Sequence, residues 1–169
     1  SPSAISLITD VEEVSCNGAC DGSIVISPSG GNGAFSFVWS PVPPNGQGSS
    51  SALDLCPGNW SVTVADINGC DTTVTFLITE PDTLSISVSN TFSSCGMCDG
   101  TADAVAQGGV TPYVYAWTQG GPLISTDSTV TDLCAGLYVI TVSDGHGCTA
   151  QAPVPISDLD GEQVTTTDY

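Results

Sequence analysis

Hydrophobic and polar residues alternate along most of this chain with a period of two. Over Asn59–Asp66, Trp60, Val62 and Val64 alternate with Ser61, Thr63 and Ala65. That spacing turns one set of side chains to a core and the other to solvent, as a half-buried β-strand requires. Tyr138, Ile140 and Val142 alternate with Val139, Thr141 and Ser143 in the same way over Leu137–Asp144. In both places a Gly-containing turn precedes the strand, and a second turn follows it at Asn68-Gly69 or Gly145-His146-Gly147. Asn68-Gly69 can supply the positive φ angles of a two-residue hairpin turn.

Alternation and turn residues predict the remaining strands of the first half: Ala4–Thr9, extending toward Val14, then Ser23–Ser27, Ala34–Ser40, Ser51–Leu55 and Thr72–Thr79. Phe35, Phe37 and Trp39 fall on one face of their strand, and Val74, Phe76 and Ile78 on one face of theirs. Pro41 to Ser51 is rich in Pro, Gly and Ser and reads as a loop. The second half repeats the series as Leu84–Ser89, Thr101–Ala106, Thr111–Thr118, Ser128–Leu133, Leu137–Asp144 and Thr149–Ile156. Pro153 and Pro155 in the last strand lack an N–H to donate, so that strand is expected at a sheet edge. No segment of useful length has helical periodicity. Short strands separated by turns every eight to twelve residues or so predict an all-β fold, an antiparallel sandwich of immunoglobulin-like kind.

Duplication underlies the pattern. Cys20-Asp21-Gly22 recurs as Cys98-Asp99-Gly100, and the same 78-residue offset carries Gly30-Gly31 onto Gly108-Gly109 and Leu55-Cys56 onto Leu133-Cys134. It also carries Phe35, Phe37 and Trp39 onto Tyr113, Tyr115 and Trp117, and Gly69-Cys70 onto Gly147-Cys148. Only Cys16 slips, because one residue more separates it from Cys20 than separates Cys95 from Cys98. The expectation is two tandem domains, 1–80 and 81–161, joined by the short Glu80-Pro81-Asp82 and stacked end to end. A tail over 162–169 reads as the first strand of a following repeat or as an intermolecular strand, with Ile5, Leu7, Val164 and Thr166 as expected inter-unit contacts.

Composition narrows the function. There is no Lys or Arg against 18 Asp and Glu, a net charge of −18. A surface without basic groups cannot displace counterions from phosphate, which excludes nucleic acid as a partner and disfavours anionic lipid. No apolar run is long enough to insert in a membrane. Eight cysteines, four to a repeat, read as disulfides of a secreted or cell-surface protein. The chain opens at Ser1-Pro2-Ser3 without an initiator Met, as expected of a processed product or a piece of a longer chain.

Candidate chemistry is sparse. Cys95-Gly96-Met97-Cys98 has the spacing of a redox pair, but no helix follows to lower a thiol pKa. The cysteines are too dispersed for zinc and the single His146 has no partner. Asp66, Asn68 and Asp144 are oxygen ligands at turns and stand as the candidates for calcium. Without a convergent cluster of six to eight oxygens, the alternative is that they bond the local backbone. No cofactor is expected beyond that. Carboxylates scattered on loops offer no general acid and base pair, and no residue is expected to be catalytic. Outward-facing aromatics could form a sugar platform; their alternation points to core packing instead. Cys56 and Cys70 flank a strand, which separates them by roughly 20 Å at ~3.3 Å per residue. They cannot pair with each other, which leaves crossed pairings with the Cys16/Cys20 segment open.

The combined motif resembles the SprB-type repeats of large surface proteins in Bacteroidetes. It consists of Ser15-Cys16-Asn17-Gly18-Ala19-Cys20-Asp21-Gly22-Ser23, Gly30-Gly31 before an aromatic strand, and Leu-Cys-x-Gly-x-aromatic leading into Val-Thr-Val-x-Asp-x-Asn-Gly-Cys. Departures are Trp60 where the family usually has Tyr, Gly145-His146-Gly147 for Ala-Asn-Gly, and Cys-x-x-Cys in the second repeat. The resemblance implies immunoglobulin-like domains of extracellular adhesins and stalks, secreted by the type IX route and in some cases tied to gliding motility. Because members with one bridge keep their first and last cysteines, it implies Cys16–Cys70 with Cys20–Cys56, and Cys95–Cys148 with Cys98–Cys134. Asp71-Thr72-Thr73, Asp82-Thr83-Leu84 and Asp127-Ser128-Thr129 resemble O-glycan sites of Bacteroidetes, which makes Thr72, Thr83 and Ser128 glycosylation candidates. The expected function is a structural repeat unit of a surface fibre or adhesin stalk that associates with itself or continues into similar repeats. The alternative is a module that binds a surface glycan or protein.

Overall fold

Strand alternation is realised as two antiparallel sandwiches in a computed structural model that describes residues 4–159. The division between them falls between Asp82 and Thr83. In the first, β1 (Ser6–Glu12), β2 (Gly22–Ser29) and β4 (Ser51–Leu55) form one sheet in the order β1-β2-β4. β3 (Ser36–Ser40), β5 (Gly58–Ala65) and β6 (Asp71–Ile78) form the other, with β5 central. The chain therefore crosses between sheets after β2, β3 and β4, which ties the two layers together.

Between the layers lie Ile24 and Ile26 of β2, Trp39 of β3, Ala52 and Leu55 of β4, Trp60, Val62 and Val64 of β5, and Ile78 of β6. Phe35 and Phe37 pack against this core, which answers the platform question in favour of packing. Fully burying one such aliphatic side chain contributes ~1.5–3 kcal/mol. Trp39 can be fully buried because its indole N–H donates to the Ser49 carbonyl at 2.9 Å.

The second repeat has β7 (Ser85–Asn90), a two-residue β8 (Ser93–Ser94), β9 (Gly100–Gln107), β10 (Val114–Thr118) and β11 (Leu123–Ser125). These are followed by β12 (Thr129–Leu133), β13 (Gly136–Ser143), β14 (Thr149–Ile156) and β15 (Asp158–Leu159). One sheet runs β12-β9-β7 and the other β11-β10-β13-β14. As the prolines required, β14 is an edge; Pro153 and Pro155 pair with Val139 and Leu137 of β13. Ala102 and Ala104 replace the isoleucines of β2, and Tyr113 and Tyr115 replace the phenylalanines of the first repeat. The added hydroxyls reach backbone: Tyr113 donates to the Gly108 carbonyl at 2.6 Å, and Tyr115 accepts from the Ala106 amide at 3.4 Å.

Several boundaries differ from the sequence reading. β1 begins at Ser6, β3 at Ser36 and β10 at Val114, each later than expected. β8 and β15 pair in parallel, Asp158 with Ser93 and Leu159 with Ser94; two residues are too few for alternation to reveal. The hairpin after β5 is also not a two-residue turn. Asp66 donates its amide to Cys70 and Gly69 donates to Asp66, both backbone bonds, so the loop is Ile67-Asn68-Gly69 with positive φ at Gly69.

Candidate functional site

Each repeat has two built ends, and the motif residues assemble them. At the first end, a glycine loop meets the hairpin that follows β5 or β13. Asp66 is 6% exposed, and its Oδ1 accepts the amides of Asn68 at 2.9 Å and Cys70 at 3.0 Å. Its Oδ2 accepts the Asn32 amide at 3.1 Å, from the loop between β2 and β3. Asp144 repeats the arrangement with His146, Cys148 and Val110, each at 2.9 Å. A Cβ on Gly109 would stand 2.5 Å from Asp144 Oδ2, so the second glycine of the Gly-Gly pair gives the carboxylate room. Burial acts to raise the Asp144 pKa. The amides of Val110, Cys148 and His146, together with the nearby His146 charge, outweigh it and hold the carboxyl below its ordinary 3.8.

The calcium candidates are thereby placed. Both oxygens of Asp66 and of Asp144 face backbone donors, which is the turn chemistry weighed against a metal. Among the described residues no group of three or more His, Cys, Asp or Glu converges on a point.

At the other end lies the Cys-Asp-Gly loop. Asp21 accepts the Ser15 amide at 2.9 Å and also the Ser15 hydroxyl. Asp99 accepts the Ser94 amide at 2.6 Å and the Ser94 hydroxyl at 2.7 Å, and these bonds lower its pKa. Gly22 is needed for closeness: an added Cβ would lie 3.1 Å from the carbonyls of Glu12 and Leu55 and 3.2 Å from Ile78 Cγ2. At Gly100 the approaches are tighter, 2.9 Å to the Leu133 carbonyl and 3.0 Å to Ile156 Cγ2. Next to each glycine, Cys20 is bonded to Cys56 and Cys98 to Cys134, with Cα separations of 3.9 and 3.8 Å.

The other two implied pairs, Cys16–Cys70 and Cys95–Cys148, are not formed; Cys70 carries an exposed thiol. Strand direction explains it. The Cys16 loop is held at the far end of β6, where Val14 donates its amide to Thr79, Asn17 donates its side-chain amide to Pro81 and Gly18 donates to Glu80. Cys70 lies before the near end of that strand, which has 8 residues, a length of roughly 25 Å. In the second repeat Cys95 donates to the Leu159 carbonyl at 2.7 Å, beyond the end of β14, whereas Cys148 precedes its start.

The remaining expected residues are dispersed. Leu7 packs against the core of its own repeat, and Ile5 is half-buried beside Gly31. β1, which carries Leu7, is paired with β2 on one side and stands at the edge of its sheet; Ile8, 71% exposed, is its outward residue. Val164 and Thr166 lie outside the described residues. Thr83 and Ser128 are exposed, while Thr72 is half-buried on the inner side of β6. His146 is exposed in its hairpin. A shallow depression lined by Ser89, Asn90, Thr91, Thr101, Asp103 and Thr129 holds one carboxylate, already bonded by the Thr129 hydroxyl. Among the described residues no helix is long and apolar enough to cross a membrane.

The SprB repeat family profile matches the chain twice, over residues 8–43 and 93–122. No curated protein matches it in sequence. Among solved structures it is similar to the three N-terminal domains of the Highly Immunogenic Outer Capsid protein (Hoc) of bacteriophage RB49. That match has 18% identity and a TM-score of 0.56, and covers 94% of this chain and 59% of that one. It is also similar to a C-terminal 282-residue fragment of intimin, at 13% identity and TM-score 0.46, over 93% of this chain and 64% of that one. The N-terminal four Ig domains of Dscam1 match at 15% identity and TM-score 0.41, over 90% and 46%. The chain thus spans less than two thirds of the length of each. The fold is a tandem of immunoglobulin-like sandwiches.

Proposed function

Each half of the chain carries a SprB repeat, and from this premise we propose that the protein is a structural repeat unit of an extracellular surface fibre or adhesin stalk. One observation carries the reading: the chain enters each sandwich at one end and leaves at the other. β1 starts where Ser6 meets Ser29, beside the glycine loop, and β6 ends at Ile78, beside the Cys-Asp-Gly loop. β7 and β14 repeat this, with Ser85 meeting Gln107 at entry and Ile156 meeting Gly136 at exit. Domains with entry and exit at opposite ends concatenate without doubling back, and each buries its own core.

Other features fit this role. Cys20–Cys56 and Cys98–Cys134 brace the exit end of each sandwich, and they form in the oxidising conditions outside the cell. A net charge of −18 keeps neighbouring fibres apart. Carboxylates committed to turns and loops leave a structural protein rather than an enzyme, with no resident cofactor. Self-association, or continuation into similar repeats, is the main partnership. Electron microscopy of native, non-reduced material tests the reading. Filaments with an axial period near two stacked domains support it; separate two-domain particles overturn it in favour of a module that binds a surface glycan or protein.

A further inference from the structure

The last strands of the two repeats, β6 and β14, are equivalent edges with different chemistry. Among the described residues each pairs with one strand only, β5 or β13. The Asp66 amide donates to the Cys70 carbonyl. In an antiparallel ladder the hydrogen-bonded pairs then recur at every second residue, at Val64–Thr72, Val62–Val74 and Trp60–Phe76. The residues between them, Thr73, Thr75 and Leu77, therefore turn their N–H and C=O groups away from β5, to the open edge. In β14 the places of Thr75 and Leu77 are held by Pro153 and Pro155, which have no N–H to offer. The Pro155 carbonyl is also capped there, by the side-chain amide of Asn90 at 3.0 Å. Val11, opposite Ile24, stands where Asn90 stands opposite Ala102, and has no such group to give.

Inward-facing side chains differ in the same sense. Val154 is 1% exposed, whereas Phe76 at its place is only partly buried, at the rim of the core. Natural sheets blunt an edge strand with proline, charge or a cover, and an edge without them is a template for another chain. β14 is blunted and β6 is not. Thr72 to Thr79 reads Thr-Thr-Val-Thr-Phe-Leu-Ile-Thr, rich in β-branched residues and without charge, glycine or proline. Its edge is closed only at Thr79, where Val14 donates to the carbonyl and Glu13 accepts the amide. We propose that β6 is a self-association edge: two copies of the chain pair β6 against β6, antiparallel about a twofold axis, through Thr73, Thr75 and Leu77. The pairing joins their β3-β5-β6 sheets into one and covers Phe76. Charge selects the occupant. With no Lys or Arg and 18 Asp and Glu, copies repel wherever carboxylates face each other, and an uncharged strand lets them approach. Twofold pairing is isologous, so the same strand serves on both sides and the association closes at a dimer. It adds a lateral contact to the lengthwise role above and holds equally for a chain free of any fibre.

Analytical ultracentrifugation of the full chain tests this, with amide hydrogen exchange as the second readout. A reversible dimer is expected, strengthened by salt that screens the net charge. Exchange at Thr73, Thr75 and Leu77 is expected to slow as protein concentration rises. Thr75→Pro gives β6 the residue that β14 already holds at that place, so the variant is expected to fold. It removes an edge donor from each copy and is expected to weaken the dimer roughly ten-fold or more. The exchange measurement, made on the wild type, decides even if the variant does not fold. A chain that stays monomeric at high salt, exchange that ignores concentration, or a dimer that Thr75→Pro leaves intact overturns the proposal. So does a dimer lost in Cys70→Ser, which would be a disulfide between exposed thiols. A dimer lost on deleting residues 160–169 would place that tail on the edge in place of a second β6, and overturns it too.

Discussion

The indole N–H of Trp60 donates to the carbonyl oxygen of Cys56 at 3.0 Å. In the second repeat the hydroxyl of Tyr138 donates to the Cys134 carbonyl, also at 3.0 Å. Two chemically different donors thus serve one purpose. Each buries its ring in the core and spends its polar tip on the turn that holds the disulfide. That is why Trp and Tyr can occupy equivalent positions in the two repeats. Tyr138→Phe keeps the ring and removes the donor, so it is expected to cost about 0.5–1.5 kcal/mol of stability. Chemical denaturation of the variant checks it, and an unchanged midpoint would show that water replaces the bond without loss.

Cys20 and Cys56 are 36 residues apart, as are Cys98 and Cys134. A bridge over such a loop lowers the entropy of the unfolded chain enough to contribute about 4 kcal/mol. Cys56→Ser is therefore expected to destabilise the first repeat by about that amount while the second still melts as before. Calorimetry that resolved two transitions and found both displaced would refute this independence.

The glycine of each Cys-Asp-Gly motif is required by contact rather than by φ. Gly100→Ala places a methyl 2.9 Å from the Leu133 carbonyl and 3.0 Å from Ile156 Cγ2. Overpacking of this kind costs about 1–3 kcal/mol. Gly22→Ala, with approaches of 3.1 to 3.2 Å, is expected to cost less. A reversed order in thermal melts would contradict the packing argument.

Acid is expected to loosen the second repeat. Asp99 and Asp144 both have pKa values lowered from 3.8. A carboxyl whose folded pKa is depressed contributes stability above its unfolded pKa and loses it as pH falls through the folded value. The melting temperature should thus drop as pH falls below about 4. Asp144→Asn is expected to be less stable at neutral pH and to have a flatter profile. Equal slopes for the two proteins would show that Asp144 carries none of the dependence.

Asp54 and Asp132 occupy equivalent positions with φ of 58° and 57°, where β4 and β12 shift register against β2 and β9. Asp tolerates this left-handed backbone and β-branched residues do not. Asp54→Gly should be nearly neutral, whereas Asp54→Val should cost about 1–2 kcal/mol. Comparing the two by denaturant titration separates backbone strain from loss of the Asn45 hydrogen bond, which both variants lack.

The order of residues determined, by itself, the duplication, the strand alternation and the membership of the core. Period-two patterning needs only local geometry, so Trp60, Val62 and Val64 could be assigned inward before any partner strand was known. It also placed β14 at an edge, because proline cannot donate on either side. What lies beyond local geometry was decided by the tertiary structure. Whether Cys16 lies near Cys70 depends on which end of the sandwich its loop is folded to, and the antiparallel course of β5 and β6 puts the two at opposite ends. The carboxylates of Asp66 and Asp144 read as loose turn ligands until the fold brought the Asn32 and Val110 amides, 34 residues away in each case, onto them. Alternation says which way a side chain points; only the closing of two sheets says what it meets.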